Sequence, residues 1–152
     1  MAKKTAGILL FRKKNSSIEF MLVHPGGPFW AKKEAGAWSI PKGEFDEPEE
    51  PLEAAKREFF EETGTAVDGN FITLTPVRLK SGKMFYAFAL EQDLDTTTIH
   101  SNIFPMEWPP RSGKYKEFPE VDRGEWMDEI RALEMINAGQ APLIKELIQK
   151  LE

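Results

Sequence analysis

The sequence predicts an α/β fold in which helices pack on a mixed β-sheet. Three observations support this class: strand-like segments stand on both sides of the most regular helical segment, two further helical segments follow near the C-terminal end, and no repeat or low-complexity tract interrupts them. Strands, a helix, more strands and then helices are typical of a mixed sheet covered by helices. The length of 152 residues favours one domain, predicted over residues 1–152.

The first strands predict a hairpin. Residues 5–11 are rich in Ile and Leu and are expected to form a buried strand, and residues 18–23 are its expected partner across a polar turn. Residues 24–36 contain several Pro and Gly residues, which predict a loop, and residues 37–40 are expected to form a short strand.

The most regular helical segment covers residues 48–62. Pro48 and Pro51 suit its start, because a proline in the first turn loses no helical hydrogen bond. Gly64 suits its end, because glycine readily adopts the left-handed conformation that terminates a helix.

The second half predicts strands over residues 71–79 and 84–90, joined by a turn. Residues 96–120 contain four prolines and are expected to form a long irregular loop, a kind of segment that is often a lid or a binding loop. The remaining predicted elements are a strand over residues 121–127 and helices over residues 128–137 and 142–151.

Composition excludes several function classes. The formal charge of −5 argues against nucleic acid or an anionic membrane as the main partner. The absence of cysteine excludes disulfides, zinc–thiolate sites and a cysteine nucleophile, and it favours a cytoplasmic protein. The apolar run near the N-terminus is too short for a signal peptide, and no stretch has the length of a membrane span.

The helix predicted over residues 48–62 has an acidic face that is a candidate metal site. Glu58, Glu61 and Glu62 stand at helical spacings that bring side chains onto one face. Oxygen ligands without His or Cys suit Mg²⁺ or Mn²⁺. By itself such a face is more often simply solvated, so the three glutamates alone leave both interpretations open.

A second feature precedes this helix. Gly43 follows Lys42 at the end of residues 38–43, and a glycine there lets the backbone approach a ligand closely. Lys42 offers a positive charge to a phosphate. Carboxylates that hold metal opposite such a loop are a plausible site for breaking a phosphoanhydride bond.

Residues 43–65 together resemble the Nudix box, whose pattern is G-x5-E-x7-R-E-U-x-E-E-x-G-U with U a bulky aliphatic residue. All seven fixed positions match: Gly43, Glu49, Arg57, Glu58, Glu61, Glu62 and Gly64. Phe59 and Thr65 depart from the pattern at its two bulky positions, which bears on local packing.

This resemblance implies an α/β/α sandwich around a mixed sheet and a Mg²⁺- or Mn²⁺-dependent hydrolase of nucleoside diphosphates linked to another group. It also implies site residues. The implied metal ligands are Gly43, Glu58, Glu61 and Glu62, with Glu58 as a further ligand or the general base. Arg57 and Glu49 resemble an ion pair that orients the catalytic turn, so the predicted catalytic residues are Arg57, Glu58 and Glu61.

Many members of the family recruit one more carboxylate or base from outside the box. Glu117 and Glu120 are the candidates, with Glu107 behind them. The alternative for each is a solvated glutamate in a loop.

Residues 38–43 also resemble the W-x-x-P-K-G sequence of dinucleoside polyphosphate hydrolases, and Tyr86 resembles a tyrosine that follows the box in those enzymes. Aromatic side chains can stack on a base and lysines can bind phosphates. The predicted substrate-binding residues are Lys42, Trp38, Tyr86 and Lys114. The alternative is a core position for each aromatic residue, which is the more common role, and a solvated surface position for Lys114. Trp30 and Trp108 are the better stacking candidates because they lie in proline-rich segments.

Three functional hypotheses follow. The first is a metal-dependent pyrophosphohydrolase of a nucleoside or dinucleoside polyphosphate, with a small-molecule nucleotide as its partner. The second is a non-catalytic module of the same fold that senses a nucleotide. The third is a housecleaning enzyme for damaged nucleoside triphosphates. The three glutamates favour an enzyme, since clustered negative charge is costly without a cation. The sequence leaves the oligomeric state open.

Overall fold

A computed structural model describes residues 4–152, so the first three residues of the predicted domain lie outside the described part. The strands are β1 (Lys4–Lys14), β2 (Ser17–Pro25), β3 (Lys42–Phe45), β4 (Ile72–Thr73), β5 (Val77–Arg78), β6 (Met84–Glu91), β7 (Ile103–Glu107), β8 (Tyr115–Pro119) and β9 (Val121–Met127). The α-helices are α1 (Pro51–Thr63), α2 (Glu129–Met135) and α3 (Ala141–Leu151). Thr96–Thr98 and Ala138–Gln140 form short 3₁₀ turns.

The main sheet is mixed, as predicted. Its strand order is β4-β6-β1-β2-β9; in addition, β3 pairs with β1 and β5 pairs with β6. β1 runs parallel to β6 and antiparallel to β2 and β3. The two N-terminal strands therefore form the predicted hairpin, and β1 lies at the centre of the sheet.

Helices cover both faces of this sheet. Side chains alternate along β1 because successive residues of a strand point to opposite faces. Leu9 and Phe11 belong to the core that α2 and α3 cover, whereas Ile8 and Leu10 belong to the core that α1 covers. This arrangement confirms the α/β/α sandwich. No helix within residues 4–152 has the length and apolar character needed to cross a membrane.

The predicted irregular loop over residues 96–120 is wrong in its central part. β7 and β8 form a separate two-stranded antiparallel sheet, in which Phe104 pairs with Phe118 and Pro105 with Glu117. Both strands are edge strands, so prolines that lack an N–H are tolerated in them. The prolines that suggested irregular structure therefore lie within a regular hairpin and in its turn.

Two predicted strands also differ from the structure. Pro76 interrupts the strand expected over residues 71–79, leaving β4 and β5 as separate two-residue strands. Residues 37–40 form no strand of their own. Ser39 bridges to Val23 and Trp38 bridges to Ile136, which ties this segment to β2 and to the end of α2.

Candidate functional site

The site is built where β3 meets α1. β3 pairs with β1, which places Gly43 opposite Ala6 at the centre of the sheet. α1 begins at Pro51, three residues later than predicted, and ends at Thr63. Gly64 follows with a left-handed φ of 79°, and its N–H donates to the Phe60 carbonyl oxygen at 2.7 Å. The buried residues Ala55 and Phe59 hold α1 on the sheet.

Gly43 lies directly against Glu58. A Cβ atom added at Gly43 would overlap the Glu58 carboxylate. Only glycine lets the backbone of β3 come this close to a side chain from α1. The box therefore joins the strand and the helix at one point, with the Glu58 carboxylate held between them.

Arg57 organises three carboxylates of the site. Its guanidinium donates two hydrogen bonds to Glu49, from Nε and Nη2, each at 2.9 Å. Nη1 donates to Glu58 Oε2 at 2.7 Å and lies 3.3 Å from Glu61 Oε2. The hydrogen bonds from Arg57 lower the pKa of Glu49, and the bonds to Glu49, followed by those to Glu58, raise the pKa of Arg57.

Burial is the largest cause of the pKa shifts of Glu58 and Glu62. It raises the pKa of Glu62 to about 8, against the opposing effects of the Lys42 side chain and of the Lys42 N–H, which donates to Glu62 Oε1 at 3.1 Å. Burial also raises the pKa of Glu58. A low-dielectric environment disfavours the ionised form of a carboxyl group.

Glu120 joins the acidic cluster from outside the box. Burial and the negative charge of Glu61 raise its pKa, and its own charge in turn raises the pKa of Glu58 and Glu62. A chain of backbone hydrogen bonds fixes this position: the Asn102 N–H donates to the Glu61 carbonyl at 2.8 Å, and the Glu120 N–H donates to the Asn102 carbonyl at 2.9 Å. The structure thus brings one of the two predicted additional carboxylates to α1.

Four of the other residues predicted outside the box do not meet the cluster. Glu117 is exposed on β8, and Lys114 is exposed near the turn of the β7–β8 hairpin. Tyr86 packs edge-on against Phe45 on the face of the sheet that α1 covers. Trp38 lies in the opposite core with none of its surface exposed, so it offers no face on which a base could stack.

The cluster as it stands is not a closed metal cage. Within residues 4–152, no three His, Cys, Asp or Glu side chains converge closely enough to hold an ion. Arg57 draws Glu58 and Glu61 together from one side, and the Lys42 N–H holds Glu62 from the other. The donors are carboxylate oxygens, and burial and neighbouring negative charges disfavour the ionised forms of Glu58 and Glu62. The set therefore fits a hard divalent cation that would supply positive charge.

These shifts predict how stability depends on pH in the absence of metal. Since the pKa of Glu62 is raised from 4.5 to about 8 in the folded state, the proton stabilises the fold. That stabilisation is complete below about pH 4.5 and is lost as the pH rises through about 8. We expect the Tm of metal-free protein to fall between pH 5 and 9, and E62Q to flatten this decline.

The matched control for E62Q is E53Q. Glu53 is an exposed glutamate of the same helix, and its Oε1 lies 3.7 Å from Lys56 Nζ. We expect E53Q to keep the wild-type pH dependence. Adding Mg²⁺ should restore the Tm of the wild-type protein at pH 8 to 9, because a bound cation favours the ionised carboxylate. An equally steep decline in E62Q would show that Glu62 is not the group responsible.

The NUDIX domain profile matches residues 1–147. The chain belongs to the NUDIX family. This match covers almost the whole sequence, and it agrees with the position of the box between β3 and α1 and with the α/β/α architecture.

Two curated relatives carry the name RNA pyrophosphohydrolase. One, from Bartonella henselae, is 63% identical over an alignment of 108 residues, and the match covers 60% of this chain and 56% of the relative. This chain therefore spans little more than half the length of that protein. The other, from Brucella anthropi, is 28% identical over 159 residues and covers 86% of this chain and 85% of the relative.

Solved structures share the fold at lower sequence identity. The Ap4A hydrolase of C. elegans in a binary complex has a TM-score of 0.66 at 20% identity, covering 97% of this chain and 98% of that one. The NUDIX domain of Shewanella oneidensis NrtR, complexed with ADP ribose, has a TM-score of 0.69 at 18% identity, covering 100% and 90%. These likenesses confirm the fold class.

Proposed function

We propose that this NUDIX protein is a Mg²⁺- or Mn²⁺-dependent pyrophosphohydrolase that cleaves a phosphoanhydride bond in a nucleoside or dinucleoside polyphosphate. The observation that carries the proposal is the set of carboxylates on one turn of α1, of which Glu58 lies directly against Gly43 and which Glu120 joins from outside the box. A cluster whose charges are desolvated and mutually repulsive costs stability unless it binds a cation.

The proposed metal ligands are Glu58, Glu61, Glu62 and the carbonyl of Gly43. A divalent ion held there would neutralise phosphate oxygens and lower the pKa of a bound water. Arg57 is proposed to position Glu58 and Glu61 through the hydrogen bonds from its Nη1, while its bidentate pair with Glu49 fixes the guanidinium.

Glu58 is the proposed acceptor of the proton from the attacking water. Its carboxylate is almost fully buried, with 7% of the residue exposed, and its raised pKa brings it closer to that of an effective base at neutral pH. Lys42 lies beside Glu62 and is half-buried, so its ammonium group is placed to attract a substrate phosphate. Glu120 is proposed as the additional carboxylate.

The names of the two curated relatives agree with this type of reaction. Both relatives are called RNA pyrophosphohydrolase, a name for hydrolysis of a pyrophosphate bond on RNA. These names favour a second candidate substrate, an RNA that carries a pyrophosphate bond, although the net charge of −5 provides no general attraction for the rest of a nucleic acid.

A substrate panel tests the proposal. Protein is incubated with Mg²⁺ or Mn²⁺ and with dinucleoside polyphosphates, nucleoside triphosphates, nucleotide sugars or a 5′-triphosphorylated RNA oligonucleotide, and the products are separated by chromatography. We expect cleavage of at least one anhydride, and loss of cleavage when EDTA removes the metal. The absence of turnover on every substrate with both metals would contradict the proposal and favour a nucleotide sensor.

A further inference from the structure

An apolar cleft opens beside the acidic cluster. It has a volume of about 370 Å³ and is lined by Pro25, Gly26, Gly27, Phe29, Trp30, Phe104, Met106 and Glu120. That volume lies within the usual range for small-molecule pockets, roughly 300–1,000 Å³. Glu120 belongs both to this cleft and to the cluster on α1, so the two sites adjoin at one side chain.

Two separate segments form the walls of the cleft. Phe29 and Trp30 come from the loop between β2 and β3, with ring centroids 5.1 Å apart in an edge-to-face arrangement. Phe104 and Met106 come from β7. Phe29 and Trp30 are 58% and 37% exposed, which leaves their rings accessible to a ligand.

Backbone contacts fix the position of the cleft relative to α1. The Gly26 N–H donates to the Glu120 carbonyl at 2.9 Å, which extends the chain of hydrogen bonds from Glu61 through Asn102 and Glu120. A Cβ atom at Gly26 would overlap the backbone of Pro119. The loop between β2 and β3 is therefore fixed against the end of β8. Phe29 and Trp30, which form the aromatic wall of the cleft, keep a defined position relative to Glu61.

A cation stands at the edge of the aromatic wall. Lys33 Nζ lies 3.8 Å from the ring centroid of Phe29 and 5.1 Å from that of Trp30. Its backbone is anchored, since the Lys33 carbonyl accepts a hydrogen bond from the buried His24 at 2.6 Å. Apolar rings with a positive charge at their margin suit a ligand that joins a flat aromatic group to an anionic one.

We propose that this cleft is the subsite for the aromatic base of the substrate, with Trp30 as the main stacking residue and Lys33 facing the adjoining phosphate. The inference rests on the proposed function for its substrate class, a nucleotide anhydride. The base stacks between the loop wall and the β7 wall while the anhydride reaches the carboxylates past Glu120. Aromatic side chains are effective partners for any base, because each base has a stacking face.

Equilibrium binding of uncleavable ligands tests the subsite separately from catalysis. Adenosine 5′-monophosphate and ribose 5-phosphate, which lacks the base, are titrated into the full chain by calorimetry. We expect the nucleotide to bind at least about 10-fold more tightly than the sugar phosphate. W30A should remove this difference, and W30F, which keeps an aromatic ring, should restore most of it.

The matched control is Y115A, which removes a 70% exposed aromatic residue of β8 that does not line the cleft. Y115A should bind the nucleotide as the wild-type protein does. Equal binding of the two ligands, or wild-type nucleotide binding by W30A, would overturn the subsite even if the substrate panel shows hydrolysis. Trp30-dependent binding without turnover of any substrate would support the subsite and contradict the proposed catalytic function.

Discussion

Replacing Glu58 by Gln is expected to lower kcat by roughly 10²- to 10⁴-fold, which is the usual contribution of a positioned general base. Gln keeps the shape of the side chain, and its oxygen can still accept the hydrogen bond that Arg57 Nη1 donates at 2.7 Å. It cannot take up the proton of an attacking water. The measurement is single-substrate kinetics on whichever anhydride the panel identifies, with circular dichroism and Tm to verify the fold.

A second measurement separates the two roles proposed for Glu58. If Glu58 is mainly a ligand, E58Q should weaken Mn²⁺ binding in a calorimetric titration. If it is mainly the base, Mn²⁺ affinity should change little while kcat falls. A loss of both Mn²⁺ affinity and kcat would show that Glu58 has both roles. Turnover of E58Q at the wild-type rate would exclude both roles.

E53Q provides the control for E58Q. Glu53 lies on the same helix, with 66% of its side chain exposed, and its Oε1 lies 3.7 Å from Lys56 Nζ. Removing its charge alters the net charge of α1 by the same amount as E58Q, without touching Gly43 or Arg57. We expect E53Q to keep wild-type kcat, so a loss in E58Q alone reflects the position of the carboxylate.

The box was the part of the site that could be predicted from the sequence, because its geometry is local. Glu58, Glu61 and Glu62 share a face through the period of one helix, and Gly64 ends that helix through its own backbone conformation. The contact between Gly43 and Glu58 follows from the short connection between β3 and α1. Each of these relations spans fewer than about 20 residues of sequence.

Relations between distant segments could not be predicted in this way. Spacing along the chain does not distinguish Glu117 from Glu120, which stand three residues apart. The difference arises because β8 pairs with β7 and leaves Glu117 exposed, whereas the backbone of Glu120 bonds to Asn102 and Gly26. The aromatic cleft likewise needs two segments about 75 residues apart, so Phe29 and Met106 were not predicted as functional residues.

Trp38 is a predicted substrate-binding residue whose position also depends on contacts between distant segments. It was predicted to bind substrate, with a core position as the alternative, and it lies fully buried in the core that α2 and α3 cover. Its ring meets the His24 ring edge-on at 5.2 Å, and its Nε1 donates to Glu34 at 3.1 Å. The bridge to Ile136, over 90 residues away in sequence, is a contact that residue spacing alone does not show.

W38A is therefore expected to lower the free energy of unfolding by about 3–5 kcal/mol, the range for truncating a large buried aromatic residue to alanine. The substitution leaves a cavity between β2 and the end of α2 and removes the hydrogen bond to Glu34. Urea denaturation followed by circular dichroism measures the change. W38F should cost much less, because it fills most of the volume and loses only the indole N–H.

W30A distinguishes this core role from the proposed binding role. Trp30 is partly exposed at the edge of the cleft, so its truncation should change the free energy of unfolding by less than about 1 kcal/mol. The two tryptophans thus predict opposite patterns: W38A loses stability, and W30A loses nucleotide binding at nearly unchanged stability. A stable W38A protein with impaired nucleotide binding would contradict the assignment of Trp38 to the core and return it to the substrate site.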